Sequence, residues 1–454
     1  MKIPAFASLM LFLCSCVAGF GAAAAKPNVI FILADDLGYG DLGAFGQKIL
    51  QTPNIDKIAA EGMRFTQAYA GATVCAPSRC TLMTGLHNGH APIRGNRELE
   101  GEGQLPMPAD TFTVAKLMKQ AGYTTGIVGK WGLGFPGSHS TPPKMGFDYF
   151  YGYNCQRQAH EYYPPHLWRN EEKVMLDGKF YSHDLMAEEA LGFVKKNASK
   201  PFYLYLAFTI PHTKIQVPDI APYENANLPE NLKKLAAMYT RLDRDVGRIM
   251  ALLKELKIDD NTMVFFASDN GAAHRNPEFA HSGPLRGFKR DMYEGGLRSP
   301  SIVRWPGKIK AGVVSDQVWG FVDFLPTMAE LSGAKPPAGL KLDGISVLQA
   351  FTQGKKIEHP PIYFEFHERG FTQAARMGDW KAVRMGTKLP VELYDMKTDF
   401  KEANNVAAAH PEVVKKFEQY LNTERTETEL WPIVENAQKK GSGGAGKKKS
   451  TGDE

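Results

Sequence analysis

The sequence predicts an α/β chain: a large, mostly parallel sheet flanked by helices, followed by a smaller C-terminal antiparallel sheet plus helix. Two observations predict this. From Asn28 onward, short apolar runs rich in β-branched residues alternate with helical patterns, as in βα units. From about 360 to 396, strand-like runs follow one another without long helices between them. The first strand is NVIFIL, beginning at Asn28; TTGIVG, FYLYLAFTI and TMVFFAS follow at 124, 202 and 262. Helical patterns fall at 54–61, 111–121, 183–196, 229–257 and 323–332. Three of them close on Gly62, Gly122 and Gly333, the residue type that most readily adopts the left-handed helix-end conformation. PIYFEFHE, TQAARMGDWKAVRM and VELYDM then form the small sheet, and a last helix follows near 410–423. No repeat of 20–50 residues is visible.

At 454 residues the chain exceeds the prior of about 150 per domain. With 43% hydrophobic and 23% charged residues it is neither disordered nor collagen-like. The formal charge of +5 gathers at the ends, where Lys439, Lys440, Lys447, Lys448 and Lys449 oppose only Asp453 and Glu454, and Lys2 adds one more. The folded body is therefore nearly neutral, and nothing calls for nucleic acid. Residues 1–25 read as a signal peptide, with Lys2, an apolar stretch over 5–20 and small residues at Ala22–Ala25. That stretch is short of the ~20 residues needed to span a bilayer, so an exported protein, periplasmic or secreted, is expected without a transmembrane span. A lipid anchor through Cys16, within Leu13-Cys14-Ser15-Cys16, is the second choice. The predicted organisation is a catalytic domain over 26–355, a C-terminal subdomain over 356–437 and a flexible basic tail over 438–454. Three cysteines remain after the signal: Cys75, Cys80 and Cys155. The odd count leaves at least one unpaired or modified. Cys80 and Cys155 read as small buried hydrophobes, with a bridge between them left open.

Four of the apolar runs end on polar groups: Asp35 and Asp36, Lys130, His212, and Asp269 with Asn270. Ligands of open α/β sheets bind beyond the carboxyl ends of the strands, so one parallel sheet would gather these groups on one rim. A strand simply leaving the core explains one or two such endings more readily than four. Asp35, Asp36, Asp269 and Asn270 offer oxygen only, which suits a hard cation, Ca²⁺ ahead of Mg²⁺, rather than zinc. The cation would also offset repulsion among three crowded carboxylates.

The string Cys75-Ala76-Pro77-Ser78-Arg79 adds a helix start, because proline favours the first helical position. Free N–H groups there suit an anion, and the Arg79 fork suits an oxyanion.

Together NVIFILADDLGYGD, CAPSRCTLMTG, GYTTGIVGKWGLG, SDNG, GFKRDMYEGGLRSP and ELYDMKTDFKEANN resemble a type I sulfatase of the alkaline-phosphatase superfamily, similar to arylsulfatases and N-acetylgalactosamine sulfatases. The resemblance runs from residue 27 to about 425. It implies the alkaline-phosphatase-like fold and oxidation of Cys75 to 3-oxoalanine (Cα-formylglycine) by a separate maturase. It implies that Asp35, Asp36, Asp269 and Asn270 hold Ca²⁺ together with the modified residue 75. It assigns Arg79, Lys130, His212 and Lys289 to orienting that residue or holding the sulfate. In such a mechanism one hydroxyl of the aldehyde hydrate attacks sulfur, assisted by an acid such as Asp269, and the second expels sulfate. His212 would protonate the leaving oxygen.

One position departs from the family pattern. Gly-Lys-Trp is commonly followed by a histidine that contacts the formylglycine hydrate, and here Gly132 follows Trp131. His160, in QRQAHEYYPP, is the expected substitute, with His274 next. A surface or substrate-pocket role fits either histidine equally well. Three rival activities remain. A phosphodiesterase or phosphonate hydrolase on the same fold is nearest, although 27–56 lacks the histidines of a two-zinc site. A catalytically silent carbohydrate-binding relative and a Cys–His hydrolase using the unmodified thiol follow. The expected substrate is a sulfated carbohydrate or aryl sulfate. Tyr162, Tyr163, Trp168 and Arg169 are placed either at a sugar-binding mouth or in the core.

Overall fold

The computed structural model describes residues 26–434. The signal segment with Cys16 and the basic tail lie outside the described residues.

Ten strands form one sheet: β1 (Asn28–Ala34), β2 (Met63–Phe65), β3 (Thr124–Lys130), β4 (Tyr149–Tyr153), β5 (His166–Arg169), β6 (Glu172–Met175), β7 (Phe202–Ala207), β8 (Thr262–Ser268), β9 (Ser301–Arg304) and β10 (Val313–Ser315). Their order is β10-β2-β9-β8-β1-β7-β3-β4-β5-β6. The central block β8-β1-β7-β3-β4 is parallel throughout. Antiparallel strands β9 and β5 flank it. Register levels the carboxyl ends: Ala34 pairs with Ser268, Leu33 with Ala207, and Ala207 with Gly129. The residues that leave β1, β8 and β3 therefore emerge on one rim.

Both faces of the sheet are covered, which is why β1 is apolar from Val29 to Ala34. Val29, Phe31 and Leu33 enter one core. Ile30, Ile32 and Ala34 enter the other. Each of the larger side chains contributes roughly 1.5–3 kcal/mol by leaving water. Helices α1 (Pro53–Ala60), α2 (Cys75–Thr84), α3 (Val114–Gln120), α4 (Ser182–Asn197), α5 (Glu230–Glu255) and α6 (Phe324–Ser332) supply the covering layers. Leu235, Leu242, Val246 and Ile249 of α5 repeat at helical spacing and close the second core.

The C-terminal strands β11 (Ile362–Phe366), β12 (Thr372–Met377), β13 (Trp380–Arg384) and β14 (Glu392–Asp395) form an antiparallel meander. Helix α7 (Pro411–Thr423) buries Phe417 and Leu421 against one of its faces. The other face, with Phe364, Ala374, Val383 and Tyr394, packs on Tyr69, Val74 and Leu297. The small sheet thus reaches the residue preceding Cys75.

Two expectations change here. Gly122 and Gly333 end their helices at φ of +83° and +72°. Gly62 does not take the left-handed conformation; a Cβ there would lie 2.5 Å from the Val303 carbonyl oxygen, so close packing requires glycine. The possible Cys80–Cys155 bridge is absent: both thiols are free and buried, and Cys80 faces the Met107 sulfur at 3.9 Å.

Candidate active site

Four strand ends and the start of α2 meet at one buried point. Asp35 follows β1, and Asp36 turns at φ of +66°, a region that aspartate visits more readily than most residues. Asp36 donates its backbone N–H to Asp269 Oδ1 at 3.1 Å, which joins the ends of β1 and β8. Lys130, the last residue of β3, donates to Asp35 Oδ2 at 2.8 Å. Lys289 Nζ reaches Asp36 Oδ2 at 2.8 Å and lies 3.5 Å from Cys75 Sγ. Cys75 opens α2, directs its thiol at Asp35 Oδ1 (3.5 Å), and is followed by an Ala76 N–H that donates to Asn96 Oδ1 at 3.0 Å.

Arg79 sits one turn into α2, fully buried. Its Nε and Nη2 donate to Asp269 Oδ2 at 3.1 and 2.8 Å, and Nη1 to the Lys130 carbonyl at 3.0 Å. The fork is thus occupied by protein groups. In this arrangement Arg79 braces the carboxylate rim, as Lys130 and Lys289 do from the other side.

The electrostatics are those of a dry, densely charged site. Burial alone would raise Asp35, but Lys130, His212, Arg79 and Lys289 hold it well below the usual carboxylate range. Asp36, against the same burial, is drawn to about 2 by His212 and Lys289. Asp269 is pushed up to about 6 by burial and by Asp35, despite Arg79. Burial pushes the Cys75 thiol far up, so the unmodified sulfur stays protonated. This removes the support for a Cys–His hydrolase, which needs a thiolate.

His212 Nδ1 donates to the Thr213 carbonyl at 2.7 Å, leaving the Nε2 lone pair 3.2 Å from Lys289 Nζ. Burial lowers His212 to about 4, against the attraction of Asp36. The imidazole is therefore neutral as it stands. The arrival of an anion beside it would move it back up.

His160 is in the pocket, but not as expected. Its ring stacks on His212, centroids 3.9 Å apart and planes 13° apart, and it makes no hydrogen bond to Cys75. Burial, His212 and Lys130 lower it to about 2, so it stays neutral. His274 hydrogen-bonds the Pro211 carbonyl through Nε2 at 2.8 Å, which makes it a support for the His212 segment rather than a group facing residue 75. Tyr162 is fully buried, its hydroxyl donating to the Thr209 and His212 carbonyls at 2.9 and 2.8 Å. Arg169 pairs with Glu189 on the surface.

The place of the missing histidine is filled. A Cβ at Gly132 would stand 2.0 Å from Gln156 Nε2, and Gly132 has φ of +71°. Gln156 is 3% exposed, and its Oε1 has no partner among the described residues. Sequence reasoning missed Gln156 and Asn96; the only signal was that Gln156 lies in the same CQRQAH segment as His160.

The residues fit a divalent cation. Asn270 Nδ2 donates to Asp36 Oδ1 at 2.7 Å and to the Gly271 carbonyl at 2.9 Å. Its Oδ1 is buried and unpartnered among the described residues, beside three buried carboxylates. Asp35, Asp36, Cys75 and His212 also bring ligand atoms within 4.8 Å of one another.

Residues 27–334 match the Sulfatase family model, and 287–427 match the N-sulphoglucosamine sulphohydrolase C-terminal model. The chain is 36% identical over 409 residues to N-acetylgalactosamine-6-sulfatase of Sus scrofa, covering 82% of this chain and 74% of the relative. It is 34% identical over 386 residues to an arylsulfatase of Hemicentrotus pulcherrimus, covering 79% and 67%. The solved structure of Ps i-CgsB in complex with k-i-k-neocarrahexaose superimposes with a TM-score of 0.81 at 31% identity, over 91% of this chain and 95% of that one.

Proposed function

The chain belongs to the sulfatase family and is a sulfuric ester hydrolase, and from that premise we propose that it removes sulfate from sulfated carbohydrate, using residue 75 oxidised to formylglycine. The observation that carries this is the surroundings of Cys75. It is buried at a helix start between Asp35 and Lys289, with too high a pKa to act as a thiolate. Oxidation there would supply a hydrated aldehyde whose hydroxyls replace the missing nucleophile. The saccharide complex of Ps i-CgsB supports carbohydrate as the substrate class.

Asp35, Asp36, Asp269 and Asn270 would hold the divalent cation, Ca²⁺ by the hardness of their oxygens, and the cation would supply Lewis acidity. The chain's own residues do the rest. Lys289 and Lys130 present ammonium groups to the sulfuryl oxygens where negative charge grows. Arg79 fixes Asp269 in place. Asp269 would accept the proton of the attacking hydroxyl. His212, steadied by Thr213 below and His160 above, presents Nε2 to the leaving oxygen and gains basicity as the anion binds. Burial of every one of these groups excludes water and strengthens their fields.

No helix among the described residues is long and apolar enough to cross a membrane. With the leader read at 1–25, we place the protein outside the cytoplasm, as its substrate class requires, with a formylglycine-forming maturase as its partner in biosynthesis. The test is release of inorganic sulfate from defined sulfated oligosaccharides by protein produced with a maturase, compared with Cys75→Ala. Sulfate release that requires Cys75 is expected; equal release by both proteins would overturn the reading.

A further inference from the structure

Three chain segments meet on the rim beside residue 75, two of them tied to backbone within two positions of it and the third joining those two. Asn96 Oδ1 accepts the Ala76 N–H at 3.0 Å. The Arg290 N–H donates to the Thr73 carbonyl at 3.0 Å. Glu368, in the loop between β11 and β12, accepts from the Asn96 N–H at 3.2 Å and from Arg290 Nε at 3.2 Å. The C-terminal sheet thus contributes a carboxylate to the edge of the catalytic pocket.

Arg290 follows Lys289 directly and has φ of +77°, an uncommon conformation for arginine. That turn buries Lys289 toward Cys75 and leaves the Arg290 side chain 35% exposed on the rim. Only Nε is used by Glu368; the two terminal nitrogens bond no protein group among the described residues. Asp291, the adjacent acid, does not take them: its Oδ2 accepts the Phe288 N–H at 2.8 Å and lies 4.0 Å from Arg275. Each anchor is also followed or formed by arginine, as Asn96-Arg97, Lys289-Arg290 and Glu368-Arg369, with Arg97 and Arg369 exposed.

We infer that Arg290, braced by Glu368, is a second anion subsite, taking a carboxylate or a further sulfate on the saccharide that carries the ester being cleaved. This rests on the proposed function and narrows it: the preferred substrate is a multiply charged saccharide. A planar fork with two free donors matches a planar carboxylate and two oxygens of a sulfate alike. Because Glu368 offsets part of its charge, Arg290 binds a lone anion weakly. It contributes chiefly when the first sulfate already holds the sugar in place, as a linked second contact does.

The experiment compares kcat/KM for three oligosaccharides sharing one cleavable sulfate: one otherwise neutral, one with a second sulfate, and one with a uronate carboxylate. Arg290→Ala should lower the ratio of charged to neutral substrate by about tenfold, mainly through KM, the scale of one charge-assisted contact, with Arg290→Lys recovering part of it. The arm that loses more identifies the anion. Equal losses on all three substrates, or an unchanged ratio in both charged arms, would overturn the subsite, because an ion pair serving only to hold the rim would do that. Titration of the doubly charged sugar onto the Cys75→Ala protein separates this from the sulfatase reading. Arg290→Ala in that background should weaken binding by about tenfold whatever the chemistry at residue 75. An unchanged Kd would also overturn the subsite, whereas failure of the wild-type protein to release sulfate from any substrate would count against the function instead.

Discussion

Restoring the family's histidine at position 132 should harm this protein. Gly132 sits at φ of +71°, where a residue with a Cβ is strained by about 1–2 kcal/mol. The Cβ would also stand 2.0 Å from Gln156 Nε2, so the glutamine must leave. In leaving it gives up its 3.3 Å bond to the Gly132 carbonyl, worth about 0.5–1.5 kcal/mol. The expected loss for Gly132→His is therefore about 2–3 kcal/mol, read as a lower urea midpoint at unchanged slope. Turnover should fall at least about tenfold, because the segment adjoining Lys130 moves. Adding Gln156→Gly removes the collision but not the strained backbone, so the double variant should recover about 1 kcal/mol relative to additivity. A Gly132→His protein with wild-type midpoint and turnover would refute the claim that Gln156 fills the vacated space.

Two further outcomes are expected. Chelation should remove a stoichiometric divalent ion, measured by elemental analysis, and abolish turnover; Ca²⁺ should restore it, and restoration by zinc alone would contradict the hard-oxygen assignment. His359 Nε2 lies 2.8 Å from the buried Asp323 carboxylate; burial lowers its pKa, but Asp323 outweighs this and raises it above 6.5. A raised histidine contributes its stability in full below about 6.5 and loses it as pH rises through the folded value. His359→Ala should thus cost about 2 kcal/mol at pH 5.5 and distinctly less at pH 9, and an equal cost at both would contradict the ion pair.

Much of this site was legible in the sequence because strand ends are legible. The apolar runs ending at Asp35, Lys130, Pro211-His212 and Asp269 could be assigned to one parallel sheet, and register then brings their ends level. What was not legible depends on side chains meeting across distant segments. The Arg79 fork read as free, because nothing local shows that Asp269, 190 residues away, occupies it. Gly132 read as a vacancy, because the glutamine over it comes from another loop. His160 is legible as a pocket candidate, but its stacking on His212 follows from how two loops pack. The same limit hid Glu368, which reaches the rim from the C-terminal sheet.

The central claim is that residue 75 acts as formylglycine, held where a thiolate could not form. Mass spectrometry of the tryptic peptide containing residue 75, from active protein produced with a maturase, tests it most directly. The account predicts loss of the thiol sulfur and gain of a carbonyl oxygen, in proportion to specific activity across preparations. Fully active protein with an unmodified Cys75 would contradict it.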